Sequence, residues 1–238
     1  MGKVAAIVQS NYIPWKGYFD LIGLVDEFIL LDDVQYTRRD WRNRNQIKTP
    51  AGLAWLTIPV EVKGKYFQRI DETVISDSDW NRRHWRAIVQ AYGKARYFEV
   101  FKEELQELYL GSSDRMLSRV NYRFLKHICG LLGVRTRISW STDYPHRGVK
   151  TERLVSLCKT VGVTSYLSGP SAKNYLDEEL FCSEGIALHY MDYSGYPEYE
   201  QLYPPFVHTV SIIDLLLNAG PDASRYMKSV SRFGETAV

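Results

Sequence analysis

The densest group of chemically capable side chains in this 238-residue chain lies in one short stretch. It combines a carboxylate, amides, a phenol and a guanidinium, and its candidate site residues are Asp33, Gln35, Tyr36, Asn43, Arg44 and Asn45. Burying such groups without partners destabilises a fold, so their close spacing indicates that a ligand satisfies some of them. The structural alternative is an internal Asp–Arg pair that holds this stretch against the rest of the protein.

The residue types in this stretch suit an anionic ligand and a proton transfer. The forked guanidinium of Arg44 is suited to a phosphate or carboxylate, and Lys48 adds a second cation. Asp33 could act as general base on an amine or hydroxyl, provided that its surroundings raise its pKa. The amides of Gln35, Asn43 and Asn45 would orient the group that is transferred.

Further candidates lie outside this stretch. Gln9, Tyr12 and Trp15 follow the first apolar run, and aromatic rings beside loop-forming residues often stack on sugars or bases. The turn at Ser168 and Gly169, between a predicted strand and a predicted helix, can present backbone N–H groups to a phosphate.

Histidine chemistry points to one residue. His208 lies in a loop rich in proline and aromatic residues just before a predicted helix, so it is the best histidine for acid–base work. No pair of histidines has metal-ligand spacing, and we predict no metal site. The Walker A, Gly-x-Gly-x-x-Gly and Gly-x-Ser-x-Gly patterns are absent as well.

The elements that position these residues follow from the apolar pattern. A buried strand at 4–8, a helix at 16–25 and a strand at 28–31 form a Rossmann-like βαβ unit, which predicts a mainly parallel sheet in an α/β fold. Segments 46–48 and 55–60, around a Pro/Gly turn, predict an inserted β-hairpin, and 72–75 is a candidate further strand. We predict one domain over residues 1–221, with a helical segment at about 79–130 and a tail at 222–238.

Composition places the chain among ordinary globular proteins. Hydrophobic residues make up 45% and charged residues 24%, which is near the average for folded domains. The net charge of +2 is too small to indicate a nucleic-acid or membrane-surface protein, although basic residues are concentrated at 38–48. The three cysteines fit neither a disulfide framework nor zinc-ligand spacing. We therefore expect a cytoplasmic protein without membrane contact.

Several sequence blocks resemble those of the WbqC-like protein family, in the same order. They are Gln9 to Phe19 (QSNYIPWKGYF), Asp32 to Tyr36 (DDVQY), Asn43 to Asn45 (NRN), Leu56 to Val60 (LTIPV), Tyr166 to Gly169 (YLSG), and Ser211 to Asn218 (SIIDLLLN). Members of this family are associated with loci for O-antigen and other surface polysaccharides, including lipopolysaccharide. The resemblance implies a transferase that adds an acyl or aminoacyl group, such as glycyl, to the amine of a nucleotide-linked 4-amino-4,6-dideoxy sugar.

The sequence leaves open the identity of the acyl donor and the catalytic class of the protein. The opening segment also resembles nucleotidylyl-transferase-like folds such as pantothenate synthetase. Those folds carry a His-x-Gly-His motif at the place where this chain has Pro14 to Tyr18, and this chain keeps only the glycine of the motif. That similarity suggests an amide ligase using ATP and magnesium, whereas an aminoacyl-tRNA would be a donor that needs no ATP. A non-catalytic sugar-nucleotide-binding protein of the same pathway is the third possibility.

Overall fold

A five-stranded parallel sheet lies at the centre of the protein in the computed structural model, which describes residues 2–111 and 113–229. The strands in chain order are β1 (Lys3–Val8), β2 (Glu27–Leu30), β3 (Arg44–Thr49), β4 (Gly52–Thr57), β5 (Arg137–Trp140), β6 (Val163–Ser168) and β7 (Ala187–Tyr190). The sheet has the order β5-β2-β1-β6-β7, and all its neighbouring strands are parallel. The predicted Rossmann-like α/β fold is thus confirmed.

The strand order places a ligand crevice at one edge of this sheet. From β1 the chain continues to β2 on one side, and β6 later pairs with β1 on the other side. In open α/β sheets the crevice lies beyond the carboxyl ends of the strands, where the strand order reverses. In this protein that point lies between β1 and β6.

Helices cover both faces of the sheet because successive strand residues point to opposite sides. Ala6, Phe28 and Leu30 belong to one hydrophobic cluster, while Ala5 and Ile29 belong to a second. The helices are α1 (Lys16–Gly23), α2 (Trp80–Tyr92), α3 (Phe98–Leu110), α4 (Leu117–Leu131), α5 (Lys150–Thr160), α6 (Glu178–Ser183) and α7 (Ile212–Ala219). The stretch predicted to be helical at about 79–130 contains α2, α3 and α4, with breaks at Gly93 and Gly111 as expected.

The hairpin β3–β4 packs one face against the protein along its length, and on the other face it buries Lys48. Ile47 and Leu56 are buried on the first face, whereas Trp55 on the other face is 44% exposed. Asn45, at the start of the hairpin, is 2% exposed and donates through its amide to the carbonyls of Tyr12 and Ile13, at 3.1 and 3.0 Å. The hairpin thereby fixes the loop between β1 and α1.

Two stretches differ from the simplest expectation. Residues 72–75 do not form a strand, because only isolated bridges join Ile75 to Val60 and Val74 to Met116. Residues 222–229, predicted to belong to a tail, contain the buried Met227, and the backbone N–H groups of Lys228 and Ser229 donate to Asp20. The rest of the predicted tail, 230–238, lies outside the described residues.

Candidate functional site

A crevice of about 840 Å³ opens at the edge of the sheet where the strand order reverses. Gln9 after β1, Asp33 and Gln35 after β2, and Ser168 with Gly169 at the end of β6 all line it. The first turns of α5 and the segment around Tyr175 complete the wall. The structure therefore brings together five of the residues that we predicted for the site, and its volume suits a drug-sized ligand.

Asp33 stands at the centre of a polar cluster in this crevice. Ser141 donates its hydroxyl to Oδ1 at 2.6 Å, and His146 places Nε2 at 3.0 Å from Oδ2. An Arg153 guanidinium nitrogen lies 3.5 Å from Oδ2. The other His146 nitrogen, Nδ1, lies 2.9 Å from the carbonyl of Tyr144, so both ring nitrogens face acceptors.

These partners keep Asp33 ionised. Burial acts to raise the pKa of Asp33, but the hydrogen bonds from Ser141 and His146 and the charge of Arg153 together bring that pKa below its ordinary value. We expected Asp33 to act as a general base only if its surroundings raised its pKa. The structure does not meet that condition. At neutral pH Asp33 is a carboxylate that attracts cations.

Groups suited to an anion line the same crevice. Lys150 and Arg153 lie in the first turns of α5, where the helix dipole adds partial positive charge. Ser168, Gly169 and Ser171 form the turn after β6 that the sequence predicted as a phosphate-binding segment. The cations come from the start of α5, and the turn comes from the end of the next element, β6. Both reach the same crevice.

Aromatic side chains form part of the crevice wall. Tyr175 lines it and is 70% exposed, so one ring face is available for stacking. Tyr193 also lines it and packs edge-on against Trp15, with ring centroids 5.0 Å apart. Trp15 thus supports the wall from behind rather than lining the crevice.

Tyr12, predicted to contact the ligand, is instead part of the core. It is fully buried, and its hydroxyl bonds to Nδ1 of His84 at 2.9 Å and to Tyr109 at 3.0 Å. Tyr36 is 6% exposed, and burial raises its pKa to about 12. Neither ring lines the crevice.

The amides and the lysine predicted in the hairpin also contact the protein itself. The Asn43 amide donates to the carbonyl of Ile58 at 2.8 Å, and Asn45 binds the loop after β1 as described. Lys48 donates to Gln201 at 2.7 Å and to the carbonyl of Pro205 at 2.6 Å. These contacts stabilise the hairpin, and they occupy the donors that the sequence argument assigned to a ligand.

Arg44 and His208 lie away from the crevice lining. The Arg44 guanidinium carbon lies 4.2 Å from the centre of the Trp55 ring, on the outer face of the hairpin. His208 packs edge-on against Phe206, at 4.6 Å between ring centroids, and burial lowers its pKa. The structure therefore separates both residues from Asp33.

Comparison with known proteins confirms the family resemblance that the sequence blocks indicated. The model of the WbqC-like protein family matches residues 9–226, which is nearly the whole chain. The chain belongs to the WbqC-like protein family. An uncharacterized protein of Mycobacterium tuberculosis is 50% identical over 226 residues, covering 95% of this chain and 98% of the relative. No solved structure matches the chain.

Family membership suggests a role related to polysaccharide biosynthesis. Two structural findings bear on the class of protein. Across residues 2–111 and 113–229, no cluster of three or more His, Cys, Asp or Glu side chains is arranged to hold a metal ion. In the same ranges, no helix has both the length and the apolar character that crossing a bilayer requires.

The family blocks do not include the partners of Asp33. Ser141, His146 and Arg153 come from the segment after β5 and from α5, more than a hundred positions along the chain from Asp33. The sequence offered one signal for them: a parallel strand at 137–140 must end at the same sheet edge as β2. Residues that follow such a strand are candidates for the crevice.

Proposed function

We propose that this protein transfers an acyl or aminoacyl group, such as glycyl, to the amine of a nucleotide-linked 4-amino-4,6-dideoxy sugar bound in the crevice. The observation that carries the proposal is the pairing of opposite charges at one sheet edge. Lys150 and Arg153 are suited to a diphosphate, and the ionised Asp33 is suited to an amine. The polysaccharide role suggested by the family favours a sugar nucleotide as the ligand that carries both groups.

The diphosphate would bind at the first turn of α5. Arg153 is 23% exposed and uses one nitrogen toward Asp33, which leaves further N–H groups of the guanidinium for phosphate oxygens. The exposed Lys150 and the backbone N–H groups at the start of α5 add to this site. The turn from Ser168 to Ser171 supplies hydroxyl donors from the other side of the strand-order reversal.

The sugar and the base would extend along the aromatic wall. Tyr175 offers an exposed ring face on which a base or a sugar can stack. Gln9 and Gln35 line the crevice with amide-bearing side chains that suit the hydroxyl groups of a sugar. The Gln35 amide already donates to the carbonyl of Tyr66 at 2.9 Å, so its position is fixed by the loop after the hairpin.

Asp33 would hold the amine in position for the transfer step. Its carboxylate attracts the amine nitrogen and holds it beside the donor. In the transfer step the nitrogen forms a bond to the acyl carbon, the bond from that carbon to the leaving group breaks, and the leaving group departs with the electron pair. The nitrogen reaches this step after its ammonium form has lost one proton to solvent, and the proton that it sheds once the new bond has formed also passes to solvent, because the low pKa of Asp33 makes its carboxylate a weak base.

Two activated donors remain alternatives within this proposal. An acyl-adenylate made from ATP and magnesium would release pyrophosphate in an amount that depends on the amino acid. An aminoacyl-tRNA would release free tRNA and no pyrophosphate. Measuring pyrophosphate alongside product therefore separates the ligase from the tRNA-dependent transferase.

Mass spectrometry of the product tests the proposal. The purified protein is mixed with nucleotide-linked 4-amino-4,6-dideoxy sugars, glycine, ATP and magnesium, with and without charged tRNA. We expect a mass gain on the sugar nucleotide that Asp33→Asn abolishes. Arg153→Ala should weaken sugar-nucleotide binding roughly tenfold to a hundredfold, as expected for loss of a charge-assisted hydrogen bond.

Matched controls come from neighbouring residues. Arg147→Ala removes a cation from the segment just before α5 that does not line the crevice, and it should leave binding unchanged. Full transfer by both Asp33→Asn and Arg153→Ala would refute the site. Thermal stabilisation by the sugar nucleotide without a product under any donor would instead favour the non-catalytic binding protein.

A further inference from the structure

The outer face of the β3–β4 hairpin exposes an aromatic cluster, defined here as Trp41, Trp55 and Leu53. Trp41 is 42%, Trp55 44% and Leu53 45% exposed. The two indole rings lie 5.5 Å apart between centroids, inclined by 37°. The Arg44 guanidinium stacks over the Trp55 ring, with 4.2 Å from its central carbon to the ring centre.

This exposure follows from the way the hairpin is built. Side chains alternate between the two faces of the strands, and the face bearing Ile47 and Leu56 is buried against the rest of the protein. The other face carries the exposed Trp55 and Leu53, while Lys48 on the same face is buried and bonds to Gln201 and to the carbonyl of Pro205. Large exposed apolar groups that are contiguous mark binding surfaces more often than isolated ones do.

The charge around the cluster identifies the kind of partner. Arg44 stacks on the cluster, the exposed Arg38 and Arg39 lie in the segment just before Trp41, and among the described residues none of the three forms an ion pair with a carboxylate. The nearby carboxylate of Asp40 is held by the Thr37 hydroxyl at 2.7 Å and lies 3.5 Å from an Arg42 nitrogen. Cations and ring faces thus dominate one surface, although the whole chain carries a net charge of only +2.

We propose that this face binds single-stranded RNA. Every base offers a ring face that can stack on Trp41 or Trp55, and the arginines can bind the phosphates between stacked bases. Gln46 and Thr57 project from the same face as Trp55 and add an amide and a hydroxyl, groups that bond to the ribose 2′-hydroxyl. Trp and Arg are also enriched in protein–protein interfaces, but three arginines without carboxylate partners favour a ligand that carries repeated negative charges.

RNA binding at this face does not depend on chemistry in the crevice. The two places are nevertheless joined through Arg42, whose guanidinium binds the side chains of Gln9 and Asn11. Gln9 lines the crevice, and Trp41 is the residue next to Arg42. RNA held on the hairpin would therefore lie beside the crevice, which is where an RNA-linked donor would be needed.

Fluorescence anisotropy with a labelled single-stranded RNA of about 12 nucleotides tests the proposal in the absence of any sugar nucleotide. We expect the logarithm of the association constant to fall linearly with the logarithm of the salt concentration. The slope should be about −2, since three phosphate contacts each contribute about −0.7. The double variant Trp41→Ala, Trp55→Ala should weaken binding roughly tenfold or more. Arg38→Ala with Arg39→Ala should bring the slope to about −0.7.

The control removes the same charge elsewhere. Arg82→Ala with Arg86→Ala takes two exposed arginines from α2 and should leave both affinity and slope unchanged. Trp41→Phe with Trp55→Phe keeps two ring faces and should retain most of the binding, which separates lost stacking from a misfolded hairpin.

Three results would overturn the inference. One is the absence of binding at low salt by the wild-type protein. Another is an equal loss of affinity in the α2 control. The third is tight binding of the corresponding single-stranded DNA, which would exclude recognition of ribose. Failure of this experiment leaves the proposed transfer reaction untouched, because that reaction is measured by the mass of the sugar nucleotide.

Discussion

Replacing Asn45 by alanine would show whether this amide serves the fold or a ligand. Asn45 is 2% exposed, and its amide nitrogen donates to the carbonyls of Tyr12 and Ile13. Its side-chain oxygen accepts from the backbone N–H of Gln46 at 2.8 Å. The fully buried Ile13 has φ of +37°, which is unusual for a β-branched residue and must be held by its surroundings.

The expected cost follows from these contacts. A typical intramolecular hydrogen bond contributes about 0.5–1.5 kcal/mol, and a buried polar group left without a partner costs more. Asn45→Ala removes three bonds and leaves two carbonyls beside a strained backbone. We therefore expect the free energy of unfolding to fall by roughly 2–4 kcal/mol, offset in part if the loop relaxes at Ile13.

Urea unfolding followed by circular dichroism measures this loss, with Gln46→Ala as the control. Gln46 is the neighbouring residue, and its side-chain amide forms no hydrogen bond within the described chain. The folded fraction of Asn45→Ala should bind a sugar nucleotide with unchanged affinity, because Asn45 does not line the crevice. A change in stability within about 0.5 kcal/mol, the range of ordinary surface substitutions, together with lost ligand binding would refute the structural role.

Two further predictions concern titratable groups. Because its partners lower the pKa of Asp33, the stability that the ionised form contributes is present above the unfolded carboxyl pKa of about 3.9 and is lost below it. The difference in unfolding free energy between wild type and Asp33→Asn should therefore persist from pH 7 to pH 5, and a difference that disappears in that range would contradict the reasoning. Burial raises the pKa of Cys129 and of Cys158 to about 12, whereas Cys182 is exposed. A thiol reagent at neutral pH should therefore modify one of the three cysteines rapidly, and the other two only after unfolding.

The parts of the fold that the sequence predicts correctly are those with local signals. Apolar runs at β1 and β2 separated by a helical repeat require a parallel pair, and the Pro/Gly turn at 49–52 requires a hairpin. The segment 72–75 has the same β-branched chemistry, with Thr73, Val74 and Ile75, but each neighbour reaches it at only a single bridge. Propensity alone could not reveal that no partner strand runs alongside it.

The residues predicted for the candidate site fall into two groups, those that line the crevice and those that bond to the protein itself. Asp33, Gln9 and Ser168 were predictable because each lies at or just after the end of a parallel strand, and parallel strands end at one edge. Asn43 and Asn45 look the same in sequence, yet they bond to carbonyls in the loops that the hairpin covers. A polar residue close to a ligand and one that satisfies a buried loop have the same composition. Only their positions in three dimensions distinguish them.

The low pKa of Asp33 changes the role that its carboxylate can have. A sugar amine resembles other alkylamines and is largely protonated at neutral pH, so a carboxylate that is already ionised can bind it as an ammonium. A carboxyl group with a raised pKa would be neutral and would hold the same amine less well. Each carboxylate oxygen has about two acceptor positions, and Oδ2 faces His146 at 3.0 Å and the Arg153 guanidinium as an ion pair at 3.5 Å. Oδ1 uses one for Ser141, and 10% of the Asp33 side chain is exposed. One acceptor position on Oδ1 therefore remains for an amine, and the three protein partners fix the direction from which that amine can approach.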